Sequence, residues 1–488
     1  MRPLAQGVEA HFLMNVKGYN QHQDLLFPPR LREALPEDHL AIVVDDVVES
    51  MDLNVLYNKV PSEGNPSYHP KMMLKILLYA YANGLFSSRK IQKALSESIA
   101  FIYLAGWQKP DFRTISDFRK NNLPELKTLF VQVVTICDRL GMISLGHIAI
   151  DGSKFRANAS DRQTYDKKKV DQEMARLLEK AASIDRQEDE LLGSALGGEE
   201  VPAELQKQEK RLAKLQKIRQ ELQVSNKKKV NATDPDAVFM KTQGAIRTSY
   251  NAQVAVEEKS QVIVAADVTD QPCDVEQLLP IVEEVQHTLG KVSTITADSG
   301  YSSGENLKEL QLKGIDAYIP DPEYQGQQRK KAEDPFFHRS RFSRNEEQDC
   351  FICPAGKKLT FSYYQKRGKK APLRIYRCRE CSLCPLKPQC TKCSSGRSIA
   401  LYPYDKELKA MRAKLDSEEG KRIYKKRQAI VEPVFGHLKE IIGFVRFHLR
   451  GLKKVCGEFA LICLAHNIRK ISTRCKSRGL SYGVALGG

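Results

Sequence analysis

The sequence predicts a mixed α/β fold, a mixed sheet with flanking helices. An all-α region precedes it, and a helical hairpin and a small cysteine-rich segment interrupt it. Three observations predict this. Between residues 146 and 322, apolar or alternating strand patterns interleave with amphipathic helical ones in the order β, insertion, β, β, α, β, α, β. Helical spacing dominates the first 145 residues. Seven of the twelve cysteines crowd between Cys350 and Cys393.

In residues 1–145, the run Pro70-Lys-Met-Met-Leu-Lys-Ile-Leu-Leu-Tyr-Ala-Tyr-Ala82 has helical apolar spacing, and Asn83-Gly84 stops it. Ser87-Ser88 opens a second helix, and a third starts after Pro110-Asp111 and runs through Thr114 to Lys120. Arg89, Lys90, Arg113, Arg119 and Lys120 are expected on the surface. Short helices with tight turns fit a helix-turn-helix DNA binder or a bundle with a solvated charged face.

The first strand is expected at Ile148 to Ile150, delivering Asp151 to a Gly152-Ser153 turn. Residues 165–230 are rich in Lys, Glu and Gln, with Leu205, Leu212, Leu215, Ile218 and Leu222 at helical spacing. Gly193, Gly197, Gly198 and Pro202 break this segment in two, which predicts a helical hairpin. Residues 249–256 and 261–267 are expected to pair as antiparallel strands. Residues 274–289 form an amphipathic helix, 292–297 a strand ending at Asp298, 306–313 a helix and 315–320 a short strand. The divisions expected are a helical DNA-binding or assembly domain (1–145), the first part of a catalytic domain (146–322), a cysteine-rich insertion (323–405), catalytic C-terminal helices (406–475) and a disordered tail (476–488).

Lys and Arg number 77 against 60 Asp and Glu, a formal net charge of +17 in 488 residues. That surplus favours a polyanionic partner, because each neutralised phosphate releases counterions. No stretch approaches the roughly 20 apolar residues of a membrane span. Residues 1–20 lack a signal-peptide core. A cytoplasmic, nucleoid-associated protein is expected, with no membrane partner.

Three acids stand out. Asp151 and Asp298 both follow apolar strands, in Ile148-Ala-Ile-Asp151-Gly-Ser-Lys154 and Thr296-Ala-Asp298-Ser-Gly-Tyr301. Each alone fits a strand-end turn; the repeated pattern in one sheet points to a shared site. Glu432 lies in a basic helical run. Converging carboxylates suit Mg²⁺ or Mn²⁺, hard cations that take oxygen ligands. Two such ions roughly 3.5–4 Å apart catalyse phosphodiester cleavage.

Cys350-x2-Cys353, Cys378-x2-Cys381, Cys384 and Cys390-x2-Cys393 suit a zinc ribbon with a subset of these as ligands. Reduced cysteines without metal, or an iron–sulfur centre, are the alternatives. Cys137, Cys273, Cys456, Cys463 and Cys475 are dispersed and expected to pack. Asp234 and Asp236 are expected in a turn.

These two aspartate segments, with Val431-Glu432-Pro-Val-Phe-Gly-His-Leu-Lys439, resemble the three blocks of bacterial insertion-sequence DDE transposases. The likeness extends to the N-terminal helices and the cysteine cluster. It implies a ribonuclease-H-like catalytic domain that cleaves element ends and joins them to target DNA. Asp151, Asp298 and Glu432 match the catalytic, metal-binding positions. Tyr424, Arg427, Glu432 and Lys439 resemble a tyrosine–arginine–glutamate–lysine motif whose basic members contact DNA. Here four residues separate Arg427 from Glu432, one more than the usual pattern. The implied partners are double-stranded DNA, as terminal inverted repeats and target, and further copies of the chain in a dimer or higher oligomer. A catalytically silent DNA-binding protein or repressor, and a nuclease of the same fold without strand transfer, are the alternative functions.

Overall fold

Short helices build the N-terminal region: α1 (Leu40–Glu49), α2 (Asn54–Tyr57), α3 (Pro70–Ala82), α4 (Ser88–Glu97), α5 (Ile99–Ala105), α6 (Phe112–Asn121) and α7 (Leu123–Arg139). The computed structural model describes residues 30–479 except 61–62, 64–65, 145, 193–202, 226, 243, 323–336, 338 and 369, and also describes Tyr482. Pro70 opens α3, where its missing N–H costs no helical bond. Apart from Lys71, all of α3 is buried, as befits a helix apolar on every side. Its buried Lys75 meets Asp45 and Glu49 of α1, each at 2.5 Å. Arg89, Lys90, Arg113 and Lys120 are exposed as expected. Arg119 is not: it lies one turn beyond buried Ile115, and donates to the Tyr81 hydroxyl at 2.9 Å and the Phe86 carbonyl at 2.8 Å. The helical period carries it to the inner face.

The central elements are β1 (His147–Arg156), β2 (Thr164–Tyr165), α8 (Lys167–Leu192), α9 (Ala203–Val224), β3 (Val230–Asn231), β4 (Val238–Thr242), β5 (Ala245–Glu257), β6 (Ile263–Thr269), α10 (Leu278–Leu289), β7 (Thr294–Ala297), α11 (Gly304–Leu312) and β8 (Asp316–Tyr318). Across the sheet the order is β5, β1, β7, β8, with β4 and β6 both pairing β5. β5 runs antiparallel to β1, and β7 and β8 continue in parallel. This is the mixed, helix-flanked sheet of a ribonuclease-H-like fold.

The expected turn at Gly152-Ser153 is absent. β1 continues through Asp151 to Arg156 because β5 pairs it from Ile148↔Glu257 to Arg156↔Ser249. Its backbone groups find partners in that ladder, so no turn is needed. The hairpin of α8 and α9 is closed at its base by paired β2 and β3. Tyr165, Val170, Leu215, Ile218 and Val230 give it a small core of its own. The breaks expected at Gly193, Gly197, Gly198 and Pro202 lie outside the described residues.

Next come β9 (Ser343–Asn345), β10 (Cys350–Ile352), β11 (Lys358–Arg367), β12 (Lys370–Arg377), α12 (Lys387–Cys390) and β13 (Ser398–Leu401). These strands form a second sheet, in the order β13, β12, β11, β10, β9. The C-terminal helices are α13 (Asp405–Asp416), α14 (Glu418–Gly436) and α15 (Leu452–Arg478). α15 packs against α1, α3, α7 and β6, so one apolar core joins the N-terminal helices to the sheet. Asn467 on α15 accepts from Ile263 N at 2.9 Å and donates to Ile263 O at 2.8 Å, which satisfies backbone of β6. α15 continues into the stretch expected to be disordered, through Arg478; residues 480–481 and 483–488 lie outside the described residues. No described helix is long and apolar enough to cross a membrane.

A histidine pair, His466 buried and His437 half-buried, predicts acid sensitivity. His466 Nε2 faces the Gln261 carbonyl at 3.1 Å and must donate to it. Its Nδ1 therefore accepts from His437 Nδ1, 2.8 Å away. Burial pushes His466 down to about 3 and His437 down to about 4, with Arg469 and Lys470 adding to the shift. Unfolded imidazoles ionise near about 6.5. Stability is then full above that pH and falls as the pH drops toward about 4, where the unfolded chain takes up protons that the native pair refuses. Melting temperatures across this window should decline, and less steeply for His437→Gln; an unchanged slope rejects this assignment.

Candidate active site

Strand register places the two aspartates together. β1 and β7 are parallel with Ile150 opposite Ala297, so Asp151 and Asp298 are the next residues along adjacent strands. Adjacent strands lie about 4.8 Å apart. Asp298 keeps extended backbone (φ −77, ψ 176), so alternation sends its side chain to the face that Asp151 uses. Its carboxylate accepts from Gly300 N at 2.8 Å, which fixes the turn at Ser299–Tyr301. Asp151 accepts from Gly152 N at 2.9 Å and from Arg427 at 3.1 Å. Burial, and the neighbouring charge of Asp298, push the Asp151 carboxyl up to about 6 against the pull of Arg427. Two acids crowded in a half-dry site favour a cation between them.

α14 lies across β1, β5 and β7. Its inner face carries Val431 and Val434, and Arg427 points from that face to Asp151. The Arg427 guanidinium lies 6.0 Å from the Tyr424 ring. One turn beyond α14, Lys439 donates to Ser153 Oγ at 2.6 Å and sits 5.0 Å over Phe155. Ser153 is two residues from Asp151 and so shares its face. Glu432 is exposed. Five residues on from Arg427, it leaves α14 about 140° around the axis. The structure thus gathers Asp151, Asp298, Arg427 and Lys439 on one face, with Tyr424 beside Arg427. It leaves Glu432 on the outer side of the same helix. Among the described residues, no three His, Cys, Asp or Glu side chains share metal-holding spacing.

Beneath the pair lies a polar network that sequence reasoning missed. Asp274 accepts from Lys154 at 3.1 Å, Asn251 at 2.5 Å and Gln253 at 2.8 Å, and Gln253 also accepts from the Tyr301 hydroxyl. Asn251 and Gln253 are buried on β5, opposite Lys154 and Gly152. Gly152 leaves room for this network: a Cβ on it would stand 2.5 Å from Gln253 Nε2 and push that amide off Asp274. The signal in the sequence was Ser249, Asn251 and Gln253 alternating along the otherwise apolar stretch 249–256.

In the cysteine-rich region, Cys353, Cys378, Cys381, Cys384 and Cys390 line one small cavity of about 20 Å³. Cys353 Sγ accepts from Lys357 N at 3.3 Å, and Cys381 Sγ from Arg397 N at 3.4 Å. Burial first, and the nearby Cys381 and Cys353, push the Cys378 thiol up to about 11. Cys350 is buried in β10 and does not line this cavity, and Cys393 is exposed beside Ser395. Of the dispersed cysteines, Cys137, Cys463 and Cys475 are buried and Cys273 is exposed. Asp234 and Asp236 accept from Gly451 N and Leu452 N, at the start of α15.

Residues 352–472 match the model of a transposase DDE domain, and residues 29–121 match that of a transposase domain, DUF772. The first match contains Tyr424, Arg427, Glu432 and Lys439; neither reaches Asp151 or Asp298. No curated protein matches the chain. A transposase-domain match toward each end of the chain, and a sheet that sets two aspartates side by side, support an insertion-sequence DDE transposase.

Proposed function

We propose that this transposase cleaves the ends of an insertion element and joins the freed 3′-hydroxyls to target DNA by two-metal chemistry. The observation that carries this reading is the pairing of Asp151 with Asp298 on adjacent parallel strands, under Arg427. Their hard oxygens fit Mg²⁺ or Mn²⁺, with Glu432 as the third ligand. When bound, the ions supply an activated water and stabilise the departing oxygen. Asp151 and Asp298 would hold the cations. Arg427, a planar fork of donors beside Asp151, would neutralise a phosphate of the scissile strand. Lys439 holds a neighbouring phosphate and Tyr424 stacks beside the cleaved end. Element ends and target are double-stranded DNA. Two ends cut together imply a dimer or larger assembly, within the cytoplasm at the nucleoid. The four short helices α3 to α6 present Arg89, Lys90 and Arg113 to the DNA backbone.

The exposure of Glu432 favours a second reading, a catalytically silent DNA-binding protein or repressor. One assay separates them. Full-length protein is incubated with Mg²⁺, a supercoiled target and 3′-labelled DNA carrying the inverted repeats that flank the gene. Joined, labelled ends support the transposase. Binding without nicking supports the repressor, and nicking without joining supports a nuclease of the same fold.

Five cysteines line one cavity without standing at metal-holding spacing, and we propose that a structural Zn²⁺ would draw in Cys353, Cys378 and Cys381 and one of Cys384 and Cys390 as thiolate ligands. Purified protein is then expected to carry one zinc per chain. Cys381→Ser should lose it and melt at a lower temperature, whereas Cys350→Ser and Cys393→Ser keep it. Full zinc in Cys381→Ser rejects this ligand set.

A further inference from the structure

The β-ribbon of β11 and β12 carries chemistry that the active site does not use. Residues 358–377 contain seven Lys and Arg and no Asp or Glu. The base of the ribbon is anchored: Leu359 and Tyr376 are buried in the core of the small sheet. Its outer part stands clear, with Phe361 37%, Tyr363 45% and Tyr364 58% exposed. Three neighbouring large rings left in water are unusual on a strand that has a core available to it.

The rings are ordered among cations. Phe361 and Tyr364 lie 5.0 Å apart between centroids. Tyr364 pairs across the ribbon with Arg374, whose guanidinium lies 5.4 Å over Phe361. Asp349 holds Arg374 in place at 2.6 Å. Arg377 lies 5.9 Å over Tyr363. Toward the tip, Arg367 lines a cleft of about 1150 Å³ that Ser302 and Ser303, a few residues beyond Asp298, also line.

We propose that this ribbon is a stacking platform for unpaired bases of single-stranded DNA, with Phe361 and Tyr364 as the base-facing rings and Arg374, Lys366 and Arg367 holding the backbone. The inference rests on the reading that the chain acts on DNA. A run of cations without an acid selects a polyanion rather than an apolar protein surface. Exposed ring faces select unpaired bases, since bases within a duplex already stack on one another. Arg367 of the ribbon and Ser302, four residues beyond Asp298, line the same cleft, which places the ribbon on the side of the molecule that follows β7.

The test uses full-length protein in EDTA, which stops any chemistry, with a fluorescein-labelled 20-nucleotide single strand and the duplex of the same sequence. The Phe361→Ala/Tyr364→Ala variant is expected to lose about tenfold in single-strand affinity. Its duplex affinity should stay within about twofold of wild type, because the phosphate contacts remain. Tyr364→Phe, which keeps the ring, should bind as wild type, and Tyr364→Ala alone should show part of the loss. Single-strand affinity unchanged in the double variant, or reduced equally for both DNAs, overturns the platform while leaving the transposase reading intact. Wild-type protein that binds neither DNA overturns that reading as well.

Discussion

An Asp151→Asn variant is expected to lose both cleavage and joining, to below about a hundredth of the wild-type rate, while still folding. Oxyanion-type and metal-type electrostatic contributions of single groups commonly exceed that factor. The substitution is close to isosteric. Asn keeps an oxygen for Gly152 N, 2.9 Å away, so the strand and its neighbours need not move. What disappears is charge: the negative group beside Asp298 that a cation requires. The Arg427 side chain, 11% exposed, then faces an amide instead of a carboxylate. A buried cation without its partner is costly, so some loss of melting temperature accompanies the loss of activity. Asp298→Asn should behave alike in the assay. Joined ends at more than about a tenth of the wild-type rate in Asp151→Asn would remove this residue from the chemistry.

Glu432→Gln is expected to reduce activity as severely, with an unchanged melting temperature. The side chain is exposed on α14, and exposed substitutions away from special contacts usually change stability by less than about 0.5 kcal/mol. The contrast between lost activity and retained stability is what marks a residue that works only when metal and DNA are bound. The chain is anchored on both sides of Glu432, by Arg427 of α14 on Asp151 and, one turn beyond α14, by Lys439 on Ser153. Drawing Glu432 inward therefore requires those two ties to loosen, which incoming phosphates would do by competing for the cations. Full activity in Glu432→Gln would transfer the third ligand's role to another acid. Asp274 is poorly placed for it, being already held by Lys154, Asn251 and Gln253.

Much of the architecture was legible because its signals are local. The helical run from Pro70 to Ala82 has the expected bounds. The strands around Asn251 and Val264 pair antiparallel, as their alternation predicted. β4 escaped notice, since its five residues form an edge partner to the start of β5 and show no alternation. The Gly152-Ser153 turn was misread because Gly in a sequence signals a turn, whereas here it clears space for Gln253. Arg119 was placed outside because charge suggests exposure, but two buried oxygens solvate it.

Residue type and period alone determined most of the element order, the basic balance, and which acids and cysteines became candidates, since all of these depend on neighbours within a few positions. Tertiary structure alone decided that Asp151 sits in mid-strand beside Asp298, that Arg427 closes on it from 276 positions away, and that Cys350 turns from the cavity its fellow cysteines share. Those outcomes rest on strand register and helix rotation, where a shift of one residue sends a side chain to the opposite face.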